Sequence, residues 1–180
     1  MTSLNAGDAN ATLEKFDPRD VINETIKRHE KAIREKGLKI DIQVSDGDLS
    51  LVSDRAKVER IFQNVFNNAV KFTNEGEIKI KLEPRSDKPG IDFEIIDTGI
   101  GIEESKLDSI FEPFHQTDSS TQRAHSGLGL GLTVARRMAD LIGGTVTVNS
   151  KPGVGTRVMM RFPSQTSGSA ALALHQRNYG

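Results

Sequence analysis

The stretch "NVFNNAVKFT", Asn64–Thr73, decides the fold because it combines the pattern of a buried helix with three asparagines. At about 100° per residue, the apolar side chains in and before this stretch fall within an arc of about 140°. This arc predicts a helix packed on a sheet through Val58, Ile61, Phe62, Val65, Phe66, Ala69 and Phe72. Asparagine is a poor helix former because its amide competes for backbone hydrogen bonds. The asparagines therefore need a separate explanation.

Three polar residues of this helix, Asn64, Asn68 and Lys71, fall within about 60° of one another, beside the apolar arc. Amide oxygens suit Mg²⁺, which is usually held by few protein groups together with phosphate oxygens. A nearby lysine can neutralise phosphate charge. Most stripes of this kind are solvated helix faces, so this pattern alone decides nothing.

The rest of the chain predicts the order helix, strand, helix, two strands, long loop, helix, two strands. This mixture indicates an α+β two-layer sandwich, in which a mostly antiparallel sheet is covered on one face by about three helices. A loop as long as residues 98–126 is usually functional. The helices are expected from Asp17–Pro18 to Gly37, from about Asp54 to Phe72, and from Leu128 to Gly143–Gly144. The strands are expected at Leu38–Val44, Glu77–Pro84, Ile91–Asp97, Thr145–Ser150 and Thr156–Phe162.

Two glycine clusters suggest a ligand. In "DTGIGI", Asp97–Ile102, the glycines let backbone approach a flat ligand, and Asp97 is a candidate acceptor for an exocyclic amine such as that of adenine. The alternative is a tight turn with an aspartate cap. In "GLGLGLTVARR", Gly127–Arg137, three glycines precede a helix, whose free N–H groups and dipole favour an anion. This second cluster is neither a dinucleotide fingerprint nor a Walker loop.

Four ordered segments then point to one family: "DRAKVERIFQNVFNNAVKFT", "DTGIGI", "FEPFHQ" and "GLGLGL". They resemble the N box, first glycine box, F box and second glycine box of the catalytic ATP-binding domain of sensor histidine kinases. These domains belong to the GHKL, or Bergerat-fold, superfamily. The resemblance covers Phe16 to Pro163, and the wording of "FEPFHQTD" is similar to hybrid-type kinases.

The resemblance implies ATP and Mg²⁺ as cofactors and assigns roles to individual residues. Asn68 would bind Mg²⁺, with Asn64 beside it and Lys71 at the phosphates, and these three are the implied catalytic residues. Asp97 would accept the adenine amine, with Gly99 and Gly101 giving room for the base. The implied ATP-binding residues are Asn64, Asn68, Lys71, Asp97, Gly99, Gly101, Ile102, Phe114, Arg123, Gly127, Leu128, Gly129, Leu130, Gly131 and Leu132.

The resemblance also implies a mobile ATP lid over residues 112–126, with Phe111 and Phe114 anchoring its base. Arg123 in this lid is either a γ-phosphate contact or a solvated loop arginine.

A phosphoacceptor motif is not recognisable in the sequence. His29-Glu30 lies in the first predicted helix without the residues that follow the acceptor histidine in this family. We therefore expect the substrate histidine on a separate dimerisation domain, a response regulator as downstream partner, and little turnover by this chain alone. The isolated domain is expected to be a monomer.

Composition narrows the function classes. The 180 residues include 24 Lys+Arg and 25 Asp+Glu, and this net charge of −1 argues against nucleic-acid or membrane-surface binding. Cysteine is absent, which excludes thiol chemistry. No apolar run approaches the ~20 residues needed to span a bilayer. We expect a cytoplasmic catalytic domain over residues 16–163, with a disordered segment or linker at 1–15 and a flexible tail or linker at 164–180; a membrane anchor would lie outside this chain.

Two alternatives to the kinase function remain open. A non-catalytic pseudokinase or interaction module would keep the nucleotide contacts without transfer. Another GHKL-type ATPase or protein kinase would share the fold, but gyrase, Hsp90 and MutL types usually carry a glutamate base where this chain has Asn64.

Overall fold

The computed structural model describes residues 12–107, 109–111 and 128–165. These residues form four α-helices, one 3₁₀ turn at Ser109–Phe111, and seven strands. The helices are α1 Pro18–Lys36, α2 Arg55–Phe72, α3 Glu104–Leu107 and α4 Leu128–Leu141. The strands are β1 Leu13–Phe16, β2 Lys39–Val44, β3 Leu51–Asp54, β4 Glu77–Pro84, β5 Gly90–Asp97, β6 Thr145–Lys151 and β7 Gly155–Pro163.

Five of the strands form one sheet in the order β2-β4-β5-β7-β6. The β2–β4 pair is parallel and the other three pairs are antiparallel. Helices α1, α2 and α4 contribute buried side chains to the same core as the sheet. The α+β sandwich with a mostly antiparallel sheet is therefore confirmed. The register places Asp97, at the end of β5, opposite Thr156 of β7.

The caps of α1 follow the sequence prediction. The Asp17 carboxylate accepts the N–H of Arg19 at 2.9 Å, and Pro18 stands in the first turn, where its missing N–H costs nothing. At the other end, Gly37 adopts φ 63° and donates its N–H to the Arg34 carbonyl at 3.1 Å. This left-handed conformation is easy only for glycine.

Helix α2 buries the predicted apolar face. It begins after Asp54, whose carboxylate accepts the N–H of Lys57 at 3.0 Å. All seven predicted apolar positions are buried, and Val70 joins them. The Phe62 ring lies 5.1 Å from the ring of Phe93 on β5, centroid to centroid, so the helix packs directly on the sheet.

The structure corrects the predicted domain ends. The expectation of a disordered segment over residues 1–15 is wrong for residues 13–15, which belong to β1. This strand pairs antiparallel with β3, from Leu13 opposite Asp54 to Phe16 opposite Leu51, and the ring of Phe16 is buried. Strand β3 was not predicted from the sequence. At the other end, Gln165 N–H donates to the Val52 carbonyl at 2.8 Å, so residues 164–165 extend the fold.

Within the predicted long loop, residues 104–107 form α3 and residues 109–111 form the 3₁₀ turn. The predicted lid over 112–126 lies outside the described residues. Within the described ranges, no helix has the length and apolar character needed to cross a membrane.

Candidate functional site

A pocket opens where α2, the end of β5 and the start of α4 meet. It encloses about 470 Å³ of space, including solvent at its mouth. Its wall is mostly apolar, with one carboxylate, one amide and one hydroxyl, which is the usual make-up of a small-molecule site. The lining residues are Val65, Asn68, Ala69, Phe72, Ile95, Asp97, Ile100, Gly101, Ile102, Leu132, Thr156 and Val158.

Asp97 occupies the end of β5 with only 8% of its surface exposed. Its Oδ1 atom accepts the N–H of Gly99 at 2.9 Å and the N–H of Thr156 at 3.3 Å. Both bonds use the same oxygen, which fixes the orientation of the carboxylate. Burial raises the pKa of Asp97 above its ordinary value, and the two N–H donors oppose that shift only in part. The unfavourable burial of this charge is a cost of the kind found at functional sites.

Gly99 and Gly101 are required by the packing of the loop itself. A Cβ on Gly99 would lie 2.5 Å from the Phe72 carbonyl oxygen. A Cβ on Gly101, where φ is +72°, would lie 2.1 Å from the Lys151 carbonyl oxygen. Both glycines are thus needed because neighbouring backbone leaves no room for a side chain. Their predicted role in giving room to a base stays a prediction, although Gly101 does line the pocket.

The amide of Asn68 faces the start of α4. A Cβ placed on Gly131 would lie 3.5 Å from Asn68 Nδ2 and 3.6 Å from its Oδ1. The Nδ2 atom is buried and has no hydrogen-bond partner among the described residues. A buried donor without a partner costs about 1–3 kcal/mol. This donor is therefore available to a ligand that enters the pocket beside Asn68.

The N-terminus of α4 supplies backbone donors beside this amide. The helix begins at Leu128, so the N–H groups of residues 128–130 have no intrahelical acceptor. Together with the helix dipole they favour an anion. Leu132 is buried and lines the pocket, and its role as an ATP contact stays a prediction. Backbone positions of Leu128, Gly129 and Leu130 lie in this first turn, whereas the predicted contacts Phe114, Arg123 and Gly127 lie outside the described residues.

The structure does not bring every predicted residue to the pocket wall. Asn64, half-buried one turn before Asn68, is not among the lining residues, and neither is Lys71. The Lys71 Nζ atom lies 5.3 Å from the centre of the Phe72 ring. Roles of Asn64 and Lys71 at phosphates stay predictions.

Thr156 and Ser150 were missed in the sequence. Thr156 is the second residue of the closing strand β7, lies opposite Asp97 and lines the pocket. Ser150 accepts the N–H of Ile102 at 2.8 Å and contacts the Thr156 hydroxyl at 2.8 Å. The "KPGVGT" turn predicts the β6–β7 hairpin, which places Ser150 near Thr156, but it does not predict the pairing of β7 with β5.

The pocket has the chemistry for a magnesium ion that arrives with phosphate. Within the described residues, no group of three or more His, Cys, Asp or Glu side chains could hold a metal by itself. Mg²⁺ is commonly held by one or two protein oxygens plus substrate phosphates. The Asn68 amide beside the α4 N-terminus fits that arrangement.

Comparison with known proteins settles the family. Residues 53–166 match the family described as "Histidine kinase-, DNA gyrase B-, and HSP90-like ATPase". The chain belongs to this family. The predicted resemblance is thus confirmed over most of the sandwich and the whole of the pocket.

The family members most similar to this chain include two sensor kinases. The "Autoinducer 2 sensor kinase/phosphatase LuxQ" of Vibrio cholerae is 38% identical over 132 residues, which cover 72% of this chain and 15% of that protein. The "Signal transduction histidine-protein kinase BarA" of Escherichia coli K12 is 32% identical over 160 residues, covering 87% of this chain and 17% of that protein. The chain therefore spans less than a fifth of the length of either relative.

Solved structures of the family share the fold. Full-length ShkA in complex with AMPPNP gives a TM-score of 0.76 at 28% identity, covering 88% of this chain and 32% of that chain. The nucleotide-free catalytic domain of histidine kinase ThkA gives 0.73 at 24% identity, covering 85% and 96%. ThkA in complex with response regulator TrrA gives 0.69 at 24% identity, covering 85% and 42%. Within its family, the chain is similar in sequence and fold to histidine kinases.

Proposed function

We propose that this domain binds Mg·ATP in the pocket and transfers the γ-phosphate to a histidine on a separate dimerisation domain. The observation that carries the proposal is the convergence of three groups at one pocket: the fixed carboxylate of Asp97, the amide of Asn68 and the N-terminus of α4. The carboxylate suits an exocyclic amine, and the amide and the helix N-terminus suit phosphate with its metal.

The apolar part of the pocket would hold the base. Asp97 uses Oδ1 for the two backbone donors, which leaves Oδ2 to accept the amine of adenine. Side chains of Ala69, Ile95 and Leu132 would cover the faces of the base, since all three line the pocket. Burial of the carboxylate strengthens this bond because water is excluded from it.

The phosphates would extend toward α4. The N–H groups at the start of this helix would bind phosphate oxygens, and Asn68 would hold Mg²⁺ through its Oδ1. Bound magnesium would neutralise phosphate charge as the γ-phosphoryl group leaves. The buried Nδ2 atom of Asn68 would then find an acceptor among the phosphate oxygens. Nucleotide binding would thus give this amide a hydrogen bond that no described residue provides.

The pocket favours transfer to a protein nucleophile over hydrolysis. Among its described lining residues, Asp97 is the one ionisable side chain, and both hydrogen bonds to it come from the protein. No base is therefore placed to activate water there. Phosphoryl transfer depends mainly on positioning and charge neutralisation, so a histidine nitrogen brought by another domain can serve as the nucleophile.

The candidate histidine inside the described chain is engaged elsewhere. The Nδ1 atom of His29 lies 2.9 Å from the Thr25 carbonyl oxygen, and its ring packs edge-on at 5.3 Å from the Phe66 ring centre. These contacts support a structural role in α1. The proposed partners are therefore a dimerisation domain with its own histidine and, downstream, a response regulator, as in the ThkA–TrrA complex. A cytoplasmic location follows from the proposed use of ATP.

The test is phosphotransfer in trans. The chain is mixed with labelled ATP, Mg²⁺ and the histidine-bearing dimerisation domain of a related sensor kinase. We expect acid-labile, base-stable label on that domain, lost with Asn68→Ala and retained with Asn67→Ala, which alters an exposed neighbour on α2. Nucleotide binding without any transfer to cognate or related domains would instead favour the pseudokinase alternative.

A further inference from the structure

We propose that Ser150 is a positioning residue for base selection: its hydroxyl orients the Thr156 hydroxyl so that the pocket presents a second acceptor beside Asp97. This inference rests on the proposed nucleotide site and names how that site distinguishes a 6-amino purine from a 6-oxo purine. Ser150 and Thr156 are direct cross-strand neighbours in the β6–β7 pair.

The hydroxyl of Ser150 makes three close contacts. Its Oγ accepts the N–H of Ile102 at 2.8 Å, lies 2.9 Å from the Gly155 carbonyl oxygen, and lies 2.8 Å from the Thr156 Oγ1 atom. A serine hydroxyl has one proton to donate and two lone pairs that accept. The three contacts therefore use its full capacity.

The Gly155 carbonyl oxygen determines which hydroxyl, that of Ser150 or that of Thr156, donates in each hydrogen bond. The Gly155 oxygen can only accept, so the Ser150 proton points to it. The Thr156 hydroxyl must then donate its own proton to Ser150 Oγ. The opposite direction would set two oxygen lone pairs against each other at 2.9 Å and satisfy one bond fewer.

The consequence lies in the pocket. With its proton committed to Ser150, the Thr156 hydroxyl can act toward a ligand only as an acceptor. Thr156 lines the pocket, and its backbone N–H binds the same Asp97 whose carboxylate is the first acceptor. Two acceptors in one corner favour an amine and repel a carbonyl oxygen. Such a pocket selects against a 6-oxo purine, because the carbonyl oxygen of that base finds no hydrogen-bond donor there.

Ser150 also links the Thr156 side of the pocket to residues 98–102, the loop that follows β5. Through the Ile102 N–H it joins the loop after β5 to the β6–β7 hairpin, and Gly153 N–H donates to the Ile100 carbonyl at 2.8 Å nearby. If Ser150 had a purely structural function, it would be to hold this loop against the β6–β7 hairpin. The two functions differ in their effect on base preference, because loosening the loop weakens binding of both bases alike.

The test compares ADP with inosine diphosphate, which carries a carbonyl oxygen in place of the 6-amino group. Calorimetric Kd values with Mg²⁺ give the ratio of IDP to ADP for each variant of the 180-residue chain. We expect Ser150→Ala to lower this ratio about tenfold, the equivalent of one hydrogen bond. Thr147→Ala removes an exposed hydroxyl from the same strand and should leave the ratio unchanged.

Coupling between the two residues separates orientation from structure. We expect Thr156→Val to lower the ratio as much as Ser150→Ala, and the double variant to lower it no further, since Ser150 acts through Thr156. Ser150→Thr keeps the hydroxyl and should keep the ratio. If Ser150→Ala does not fold, Thr156→Val and Ser150→Thr still test the inference.

Four outcomes are decisive. Ratios unchanged in Thr156→Val, or equal weakening of both nucleotides by Ser150→Ala, would overturn the inference while leaving the nucleotide site intact. Additive effects in the double variant would do the same. Absence of ADP binding by the unaltered chain would overturn the proposed function itself, and this inference with it.

Discussion

Gly131 of α4 lies directly against the side-chain amide of Asn68 on α2, so that a methyl group on Gly131 would stand 3.5 Å from Asn68 Nδ2. That separation is an ordinary van der Waals contact, so an alanine fits. The missing methyl nevertheless leaves the buried amide accessible from the start of α4. The helix gives up stability at this position, because glycine in a helix costs about 0.5–1 kcal/mol relative to alanine.

Gly131→Ala should therefore stabilise the unliganded chain while weakening nucleotide binding. We expect the free energy of unfolding to rise by about 0.5–1 kcal/mol. We expect Mg·ADP affinity to fall about tenfold or more because the methyl covers the Asn68 amide. Denaturant unfolding and calorimetry measure the two effects. Asp140→Ala is the control, since it removes an exposed acidic residue near the other end of α4 and should leave affinity unchanged. Lower stability or unchanged affinity in Gly131→Ala would contradict the assignment.

Asn68→Ala should separate ligand binding from folding. The buried Nδ2 atom without a partner means that removal of the amide costs the unliganded fold nothing and raises its stability by up to about 1 kcal/mol. The stabilisation by Mg·ADP should be lost; at 100 times Kd it amounts to about 2.7 kcal/mol in the unaltered chain. Thermal unfolding with and without Mg·ADP measures both. Asn67→Ala, on the exposed neighbour, should retain the stabilisation, and equal loss in the two variants would argue against a specific role.

Gly101 and Gly153 have the same backbone conformation, so that together they test how tightly the loop after β5 is packed. Both adopt φ +72°, but a Cβ on Gly101 would meet the Lys151 carbonyl oxygen at 2.1 Å, whereas a Cβ on Gly153 meets nothing within 4 Å. Gly153→Ala should cost about 1–2 kcal/mol for the left-handed conformation alone. Gly101→Ala should cost about 1–3 kcal/mol more because backbone must move. Urea unfolding of the two variants gives the difference directly, and equal costs would show that this contact does not constrain the loop.

Much of the fold follows from local sequence chemistry. The α1 caps at Asp17 and Gly37, the Asp54 cap of α2 and the β4–β5 hairpin are all where residue type and periodicity predict them. The strands β1 and β3 escape prediction because each has four residues, too few to show alternation, and their pairing joins positions about 40 residues apart. Parallel pairing of β2 with β4 likewise depends on the path of the whole chain.

The site was predictable where one residue type carries the chemistry. Asp97 after an apolar strand and Asn68 beside an apolar helical arc stand out in the sequence, and both line the pocket. Thr156 and Ser150 do not stand out, because a threonine and a serine at the ends of strands are common. Their importance depends on which strand end they meet, and only the register of β5, β6 and β7 shows that.

The Asp54 cap predicts a pH-dependent contribution to stability. Burial alone would raise the pKa of Asp54, but hydrogen bonds and the charge of Lys57 outweigh it and hold the pKa below its ordinary value of 3.8. A lowered pKa in the folded state means that the carboxylate stabilises the fold above about pH 3.8 and loses this effect as pH falls below it. Asp54→Ala should cost about 1 kcal/mol at pH 7.

The measurement for Asp54 is the free energy of unfolding as a function of pH. The difference between the unaltered chain and Asp54→Ala should shrink as the solution is acidified through that range. Asp54→Asn keeps a cap oxygen and should lose less than Asp54→Ala at pH 7. Asp46→Ala, on an exposed loop aspartate, should change stability by less than about 0.5 kcal/mol. A difference between Asp54→Ala and the unaltered chain that persists unchanged at low pH would contradict the assignment.

The central claim is that one magnesium nucleotide binds to the Asp97 carboxylate, the Asn68 amide and the start of α4. A titration of the ¹⁵N-labelled chain with Mg·ADP, followed by amide NMR, tests it directly because the Asn68 side-chain NH₂ and the Gly99 and Gly131 amides each give a signal. We predict that these three signals shift together with one Kd, while Ser86 and Lys88 at the separate cavity beside the β4–β5 turn stay in place. Saturating Mg·ADP that leaves the three signals unmoved, or moves only those of Ser86 and Lys88, would contradict the account.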